Sequence, residues 1–323
     1  MPSTRSQPNI LAGPYLNRAA QWRRDEALLL AAIADPQTLI VPVWRMQNLI
    51  VAFDGITSAR LIDGIDAVGD IDPAELILLG EFRGRVCFAL EMPADRPPVI
   101  GSRSDTNAQF RDLRMLAGEL PRDEAGLLAY ARAMILWRER HRFCGRCGSP
   151  TVAAQAGHVL KCTDDACGHQ QFPRIDPAII VLITDGERAL LGRQASWPAG
   201  RYSTIAGFVE PGESLEDAVV REVMEETGVV VDSVEYHSSQ PWPFPSSLML
   251  GFIAHAATTD IRLHDAELED ARWLDRAQIA AGEVALPTTH SISFRLIEDW
   301  FDARASRPLR DEPNARLWTA TGR

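Results

Sequence analysis

Residues 207–229, GFVEPGESLEDAVVREVMEETGV, limit the possible folds of this chain more than any other stretch. They place Glu222, Glu225 and Glu226 within one helical turn. Side chains three and four residues apart lie one above the other on a helix, so the three carboxylates project from the same side and repel one another. Mg²⁺ and Mn²⁺ take oxygen ligands of this kind. The stretch therefore indicates a helix that holds a hard divalent cation, with an acidic face exposed to water as the alternative.

The same stretch contains the signals that start and end a helix. Ser214 can cap the amino terminus, and Gly228 is placed to end the helix. Glu216 and Asp217 suit the positive end of the helix dipole. The side that is predicted to pack on a core consists of Val219, Val220, Val223 and Met224.

The complete spacing resembles the Nudix box, the loop–helix–loop signature of the Nudix hydrolases. Glu213 follows Gly207 after five residues, and Arg221 opens the run REVMEETGV after seven more, with no departure from the pattern. The resemblance implies an α/β/α sandwich that binds divalent metals and hydrolyses a diphosphate linked to a nucleoside. Gly207 is expected to turn the chain out of a strand, and Gly212 to let the loop double back towards the helix.

The resemblance also implies roles for individual residues. Arg221 would orient a neighbouring glutamate, Glu213. The catalytic residues would be Glu213, Arg221, Glu222, Glu225 and Glu226. The catalytic Mg²⁺ or Mn²⁺ would be held by Glu222, Glu226, Glu267 and the backbone carbonyl of Ala206. Two points stay open: Glu269 is an alternative to Glu267, and either Glu225 or Glu226 can accept the proton of the attacking water.

Two cysteine pairs precede this region and indicate a second kind of metal site. Cys144 and Cys147 form one knuckle, and Cys162 and Cys167 form the other, with four intervening residues. Four thiolates at such spacing fit a tetrahedral zinc ribbon, and a closed four-sulfur site is structural. Disulfides are the alternative, but thiols stay reduced in the cytoplasm. The nearby His158 and His169 are predicted to be bystanders.

Residues 239–247, SQPWPFPSS, carry three prolines within five positions. Proline has no backbone N–H and a fixed φ, so these residues are predicted to form an irregular, stiff loop that holds Trp242 and Phe244 in place. At this distance after a Nudix box, the loop resembles the signature of the NADH pyrophosphatase subfamily, which is also known for removing NAD caps from RNA. The zinc ribbon, the box and the loop all take part in that resemblance.

The resemblance places the dinucleotide substrate against this loop and two aromatic rings. Phe208 would stack on the nicotinamide, and Phe172, where the family has tyrosine, would be lent across a homodimer; both could instead be core residues. The substrate-binding residues that it implies are Phe172, Phe208, Gln240, Pro241, Trp242, Pro243, Phe244, Pro245, Ser246, Ser247, Met249 and Ser293.

Length and composition bound the rest of the chain. Its 323 residues suffice for two or three domains, and a net charge of -11 argues against a broad nucleic-acid-binding surface. The start resembles no signal peptide and no apolar run could span a bilayer, so a cytoplasmic location is expected. The fold class is predicted as α+β. The predicted domains are a β-rich domain at 1–138, a zinc ribbon at 139–171, a Nudix domain at 172–305 and a tail at 306–323.

Hydrophobic patterns predict the main elements. The first domain should contain a mostly antiparallel sheet with strands near 38–44, 76–79 and 86–91, then a helix over 123–138. Cys87 is predicted to be a buried, unreactive residue of the third strand. In the last domain the predicted strands are 178–184, 188–193, 202–209, 231–238, 247–255 and 272–274, followed by a helix over 291–304.

The expected activity is metal-dependent hydrolysis of NADH or NAD⁺ to nicotinamide mononucleotide and AMP, with removal of NAD caps from RNA as a compatible activity. Mg²⁺ or Mn²⁺ would serve catalysis, and zinc would serve structure. Two alternatives stay open. One is a Nudix hydrolase of another diphosphate, such as ADP-ribose or a dinucleoside polyphosphate. The other is a non-catalytic module that senses nucleotides or binds RNA.

Overall fold

The structure is a computed structural model that describes residues 5–64, 71–95, 107–264 and 267–318. The fold class is α+β, as predicted from the sequence. No helix within these ranges is both long and apolar enough to cross a membrane.

The chain divides into two compact units. The first contains Met1–Ala12, Asp176–Pro241 and Ser247–Arg323, and the second contains Gly13–Ile175 and Trp242–Ser246. The finer division at residues 138, 171 and 305 stays a prediction.

The first part of the second unit is built on one mixed sheet. Its strands are β1 (Leu16–Asn17), β2 (Leu39–Trp44), β3 (Gln47–Phe53), β4 (Ile56–Ala59), β5 (Ile62–Asp63), β6 (Ile77–Phe82), β7 (Arg85–Glu91) and β8 (Ala108–Arg111). Its helices are α1 (Glu26–Ala34), α2 (Leu113–Leu116) and α3 (Arg122–Arg140), with 3-10 turns at Ala20–Arg24 and Pro73–Glu75.

The strand order of this sheet is β1-β6-β7-β2-β3-β4, while β5 also pairs with β2 and β8 with β3. All described pairs are antiparallel except β2 with β7, which is parallel. The predicted, mostly antiparallel sheet is therefore confirmed, with β2 as the exception at its centre. Cys87 is fully buried on β7, and burial raises the pKa of its thiol, as expected of an inert residue.

Helices α1 and α3 pack on this sheet. The predicted helix at 123–138 is α3, and its predicted apolar positions are all buried: Leu127, Leu128, Ala131, Met134 and Ile135. The short helix α1 packs against Ile40, Leu78 and Phe88 in a hydrophobic cluster that contains no residue of α3. Its sequence EALLLAAIA is apolar nearly all round, so periodicity does not predict it.

The cysteine-rich segment forms a small sheet of its own. Its strands are β9 (Thr151–Ala154), β10 (Val159–Cys162) and β11 (Gln170–Gln171), in the order β11-β10-β9. Both neighbouring pairs are antiparallel.

The first unit contains the remaining elements. Its strands are β12 (Asp176–Thr184), β13 (Arg188–Arg193), β14 (Ile205–Phe208), β15 (Val231–Trp242), β16 (Ser247–Ala256), β17 (Asp270–Asp275), β18 (Ala285–Leu286) and β19 (Arg316–Leu317). Its helices are α4 (Leu215–Thr227), α5 (Arg276–Ala280) and α6 (Ile292–Asp302).

The main sheet of this unit has the order β15-β16-β12-β13-β17, with β14 paired to β12. Alternate residues of β12 bury both faces: Ile179 and Val181 lie in the cluster that contains α4, and Ile180 and Leu182 lie in the cluster that contains α6. A sheet covered by helices on both faces is the predicted α/β/α sandwich.

One prediction about the chain path in this region is wrong. The loop predicted over 239–247 is shorter, because β15 continues to Trp242 and only residues 243–246 form a turn. Pro241 lies on the outermost strand of the sheet, where proline is tolerated. The segment predicted as a tail is partly folded: it contains a 3-10 turn at Leu309–Asp311, and β19 pairs in parallel with β18.

Candidate active site

Helix α4 begins and ends where the sequence predicts. The Ser214 side chain accepts the N–H of Asp217, and the Asp217 carboxylate accepts the N–H of Ser214, which completes a capping box. Gly228 ends the helix with a left-handed φ of 68°. Before the helix, Gly212 has a φ of 98°, a conformation that favours glycine and lets the loop double back, as expected.

The buried side of α4 differs from the prediction. Val219 and Val223 are buried as expected, but Val220 and Met224 are 45% and 39% exposed. The buried stripe instead continues through Glu222 and Glu226, which are 9% and 5% exposed. Two carboxylates therefore lie where an ordinary amphipathic helix has apolar residues. An acidic face exposed to water does not describe this pair, because such a face would leave both glutamates hydrated.

Arg221 joins the glutamates of the loop and the helix. Its Nε and Nη2 donate to the two oxygens of Glu213 at 2.6 and 3.0 Å. Its Nη1 donates to Glu222 and to Glu225, at 3.0 Å each. Nη2 also donates to the carbonyl of Phe208 at 3.0 Å. One guanidinium thus fixes the loop, the end of β14 and two helix carboxylates at once.

The charges of this network shift several pKa values. The hydrogen bonds from Arg221 and from the backbone N–H of Glu210 lower the pKa of Glu213 to about 2. Burial raises the pKa of Glu222, the hydrogen bond from Arg221 opposes this, and the nearby carboxylates of Glu225 and Glu267 raise it again, so that it lies above its usual range. Glu213 is therefore ionised at neutral pH and forms a stable ion pair with Arg221. The charged form of Glu222 would be stabilised by a further positive charge nearby.

Gly207 has a different role from the one predicted. It lies inside β14 rather than at a turn, and its φ is not in the left-handed region. A Cβ atom at this position would overlap the carboxylate of Glu222. Glycine is therefore needed for space, because the Glu222 side chain packs directly on the backbone of β14.

The structure separates Glu267 from Glu269. Glu269 forms an ion pair with Arg193 of β13, whereas Glu267 is close enough to Glu222 to raise the pKa of that carboxyl. Ala206 lies on the same strand as Gly207 and pairs with Ile180. Of the two glutamates, Glu267 is the one whose charge acts on Glu222, and its role as a metal ligand stays a prediction.

The predicted substrate residues divide into exposed and buried groups. Phe208 and Phe172 are 61% and 62% exposed, so neither is a core residue. Ser293 is buried, and its hydroxyl bonds with Ser203 and Thr204 at 2.8 Å each. Met249 is partly buried beside the α6 cluster. The substrate contacts of all four residues stay predictions.

The signature loop is held by cations that the sequence does not mark. The rings of Trp242 and Phe244 meet edge to face at 5.0 Å. Arg132 of α3 lies over Phe244 at 5.1 Å, and its Nε donates to the carbonyl of Pro243 at 2.9 Å. Arg114 lies over Trp242 at 6.0 Å. Arg132 is 111 residues from Pro243 along the chain, so no local pattern could have identified it.

Gln240 lies in the interior, and other predicted loop residues are more open. Gln240 is 1% exposed, and its amide bonds with backbone atoms of the same unit. Pro243 is buried, Pro245 is exposed, and intermediate exposure is shared by Pro241, Trp242, Phe244, Ser246 and Ser247. The burial of Gln240 and Pro243 shows that part of this signature serves the fold.

The four cysteines form a compact sulfur site. Among the residues that the structure describes, they are the one group of three or more His, Cys, Asp or Glu whose ligand atoms all lie within 4.8 Å of one another. The Cys144–Cys167 and Cys147–Cys162 sulfur distances are 3.9 and 3.4 Å. A tetrahedral zinc with Zn–S bonds of about 2.3 Å requires sulfurs about 3.8 Å apart, so the set fits zinc.

The surroundings of the sulfurs also suit a metal. The backbone and side chain of Ser149 lower the pKa of Cys147 to about 6, whereas burial raises the pKa of Cys162 to about 12, so Cys147 is the thiol more readily ionised of the two. The backbone N–H of Arg146 points to the Cys144 sulfur at 3.4 Å. His158 is not a ligand in this cluster; its Nε2 bonds with the carbonyl of Leu78 at 2.7 Å. The sequence predicted this site correctly, including the wider second knuckle.

Three family models match the chain in succession. Residues 24–137 match the NADH pyrophosphatase-like rudimentary NUDIX domain. Residues 139–172 match the NADH pyrophosphatase zinc ribbon domain, and residues 174–299 match the NUDIX domain. The first of these matches adds what the sequence did not indicate: the β-rich amino-terminal region is itself related to the NUDIX fold.

Several curated proteins are similar to the chain. The NAD-capped RNA hydrolase NudC of Stutzerimonas stutzeri is 43% identical over 232 residues, which are 71% of this chain and 79% of that protein. The protein of the same name from Mycobacterium bovis is 36% identical over 305 residues, 89% of this chain and 94% of the relative. The human NAD-capped RNA hydrolase NUDT12 is 41% identical over 197 residues, which cover 56% of this chain and 43% of that longer protein.

Proposed function

This chain belongs to the NADH pyrophosphatase subfamily of the Nudix hydrolases, and on that premise we propose that it hydrolyses the pyrophosphate bond of NADH and NAD⁺. Water adds to one phosphorus, the bridging P–O bond breaks, and the products are nicotinamide mononucleotide, reduced or oxidised, and AMP. We extend the proposal to the same bond in NAD-capped RNA, on which the named relatives act.

One observation carries this proposal: a single arginine, Arg221, joins Glu213 to Glu222 and Glu225 beside two buried helix carboxylates. Glu222 and Glu226 are both buried on α4, and buried carboxylates close together are stabilised by positive charge, so their position supports a cation site. Glu222, Glu226, Glu267 and the carbonyl of Ala206 would hold Mg²⁺ or Mn²⁺. When bound, such an ion neutralises phosphate charge and lowers the pKa of a water ligand.

The remaining residues would act around that ion. Glu213 stays ionised and holds the guanidinium of Arg221 in position. Arg221 in turn orients Glu222 through a hydrogen bond and need not contact the substrate itself. Glu225 is half-exposed and hydrogen-bonded to Arg221, while Glu226 is buried. Either one can accept the proton of the attacking water, and their different exposure makes the choice testable by mutation.

Substrate recognition is proposed for the exposed aromatic residues and the signature loop. Phe208 offers a free ring face at the end of β14 for the nicotinamide, and Phe172 offers a second ring across a homodimer. The other residues of this region that are proposed to contact the dinucleotide are Pro241, Trp242, Phe244, Ser246, Ser247 and Met249. The homodimer and a cytoplasmic location are further parts of the proposal, and sedimentation equilibrium tests the first of them.

Product analysis tests the function. Purified protein is incubated separately with NADH, NAD⁺ and ADP-ribose, with Mg²⁺ or Mn²⁺ and with a chelator, and the products are identified by mass spectrometry. We expect metal-dependent release of AMP and nicotinamide mononucleotide. Cleavage of ADP-ribose alone would refute the substrate, and no cleavage of any compound would favour a nucleotide-sensing module.

A further inference from the structure

Residues 5–12, named here the N-terminal strap, are bound to the outermost strand of the first unit. Asn9 is 3% exposed, and its Nδ2 donates to the hydroxyl of Ser238 at 3.1 Å and to the carbonyl of Ser239 at 2.8 Å. The N–H of Ser239 donates to the hydroxyl of Ser6 at 2.9 Å. β15 ends the strand order of its sheet, so the strap supplies partners that no further strand provides.

The strap is also fixed to helix α6. Nη1 of Arg295 donates to the carbonyl of Arg5 at 2.5 Å and to Oδ1 of Asn9 at 2.9 Å. Asn9 therefore uses its donor on β15 and its acceptor on α6. A buried carboxamide engaged at both ends fixes the geometry of both partners, because loss of either bond leaves a buried polar atom unpaired.

Gln240 continues the same network towards the signature loop. Its Nε2 donates to the carbonyl of Ile10 in the strap at 2.9 Å and to the carbonyl of His290 at 2.8 Å. Its Oε1 accepts the N–H of Ile292, the first residue of α6, at 2.8 Å. The strap, the start of α6 and the end of β15 are thus joined through one side chain, directly before the residues that the proposed function assigns to the substrate.

We propose that the N-terminal strap sets substrate affinity by fixing the end of β15, with Asn9 as the positioning residue. This inference rests on the proposed function for the identity of the substrate. The strap contacts lie on β15 and on α6, whereas Glu222 and Glu226 lie on α4. Loosening the strap should therefore weaken substrate binding and leave the chemical step intact.

The test compares Asn9→Ala with Asn17→Ala in the full chain. Asn17 is a matched control, since its side chain makes a local bond to the N–H of Ala19 in the other unit. With NADH, we expect Asn9→Ala to raise KM by about fivefold or more while kcat stays within about twofold, because two hydrogen bonds that position the strand are lost. Asn17→Ala should match the wild type in both constants. If Asn9→Ala only reduced the fraction of active enzyme, kcat would fall while KM stayed unchanged. That result would overturn the proposal.

Hydrogen exchange provides a readout that does not depend on turnover. The amides of Ser239, Gln240 and Trp242 should exchange faster in Asn9→Ala than in the wild type, and unchanged exchange there would overturn the proposal. If Asn9→Ala does not fold, Asn9→Asp keeps the acceptor for Arg295 and removes the donor to β15, so the same changes are expected. A wild-type protein that leaves NADH intact would refute the proposed function, while the exchange data would still decide the role of the strap.

Discussion

The two NUDIX-related regions of this chain use the same strand pairing for different purposes. In the amino-terminal region the parallel pair is β2 with β7, and β2 also pairs with β3 and β5, while β3 pairs with β8. In the catalytic region the parallel pair is β12 with β16, and β12 also pairs with β13 and β14, while β13 pairs with β17. This agreement explains the match of residues 24–137 to a rudimentary NUDIX domain.

The difference lies in the helix between corresponding strands. Residues 209–230, between β14 and β15, contain the loop and α4, whereas the corresponding stretch between β5 and β6 has fewer residues, and its described residues 71–76 contain a 3-10 turn at Pro73–Glu75. One face of the amino-terminal sheet is instead covered by α1, which precedes β2 and has Glu26 as its one acidic residue. A helix can therefore cover the sheet without any carboxylate cluster, and the cluster on α4 calls for a functional explanation.

The largest effect is expected from removing a carboxylate of α4. Glu226→Gln should lower kcat for NADH by at least about two orders of magnitude, the usual scale for losing metal or acid–base assistance, while circular dichroism stays unchanged. The comparison supplies its control: Glu26→Gln on α1 should leave kcat at the wild-type value. Near-normal turnover of Glu226→Gln would contradict the claim that the carboxylates of α4, unlike the acidic residue of α1, serve catalysis.

The zinc site should prove separate from the reaction. Cys144→Ser removes one of four thiolates, and we expect zinc affinity to fall by about two orders of magnitude, with a loss of stability. Protein that stays folded should keep its Mg²⁺-dependent kcat. Cys87→Ala is the matched control, because Cys87 lies outside the sulfur cluster. Elemental analysis should find the wild-type amount of zinc in this variant. Equal zinc content in both variants would contradict the assignment.

The amino-terminal region and ribbon should share a sensitivity to acid. Burial lowers the pKa of His158 to about 4, against an unfolded value of about 6.5. Its neutral form is thus favoured in the folded state, so its contribution to stability is complete above pH 6.5 and is lost as the pH falls towards 4, by about 3 kcal/mol in all. Denaturant unfolding of His158→Gln should lack this part of the pH dependence. The exposed His255 provides the control substitution, and an unchanged profile in His158→Gln would refute this account.

The smallest effect is expected from adding one methyl group beside α4. Gly207→Ala places a Cβ against the Glu222 carboxylate, and we expect kcat to fall by about tenfold as that side chain is displaced. Gly145→Ala has only one atom within contact range, at 3.8 Å, and should leave kcat unchanged. A Gly207→Ala enzyme with wild-type kinetics would show that Glu222 need not pack on β14.

The sequence predicted features that depend on local chemistry. The capping of α4 by Ser214, its end at Gly228 and the cysteine cluster all follow from short-range rules. Apolar runs likewise predicted most strands of the catalytic sheet, but of the described strands in the amino-terminal sheet they predicted three, β2, β6 and β7. Each of these features is decided by residues that are neighbours along the chain.

Features that depend on distant residues escaped prediction. Val220 is exposed because another side of α4 faces the sheet. Gly207 is needed because the carboxylate of Glu222, on a different element, occupies the space of a Cβ atom. The contacts of Asn9 with Ser239 and of Arg132 with Pro243 join residues far apart in sequence. The relation of the amino-terminal sheet to the catalytic one lies in strand order, which is a property of the whole topology.

The central claim is that the carboxylates of α4 hold the ion on which hydrolysis depends. The most direct measurement is a Mn²⁺ titration followed by electron paramagnetic resonance, with wild-type protein and the Glu222→Gln/Glu226→Gln variant. We predict that the wild type binds Mn²⁺ and that the variant binds it at least about tenfold more weakly, with unchanged zinc content. Equal Mn²⁺ affinity in the two proteins would contradict the account.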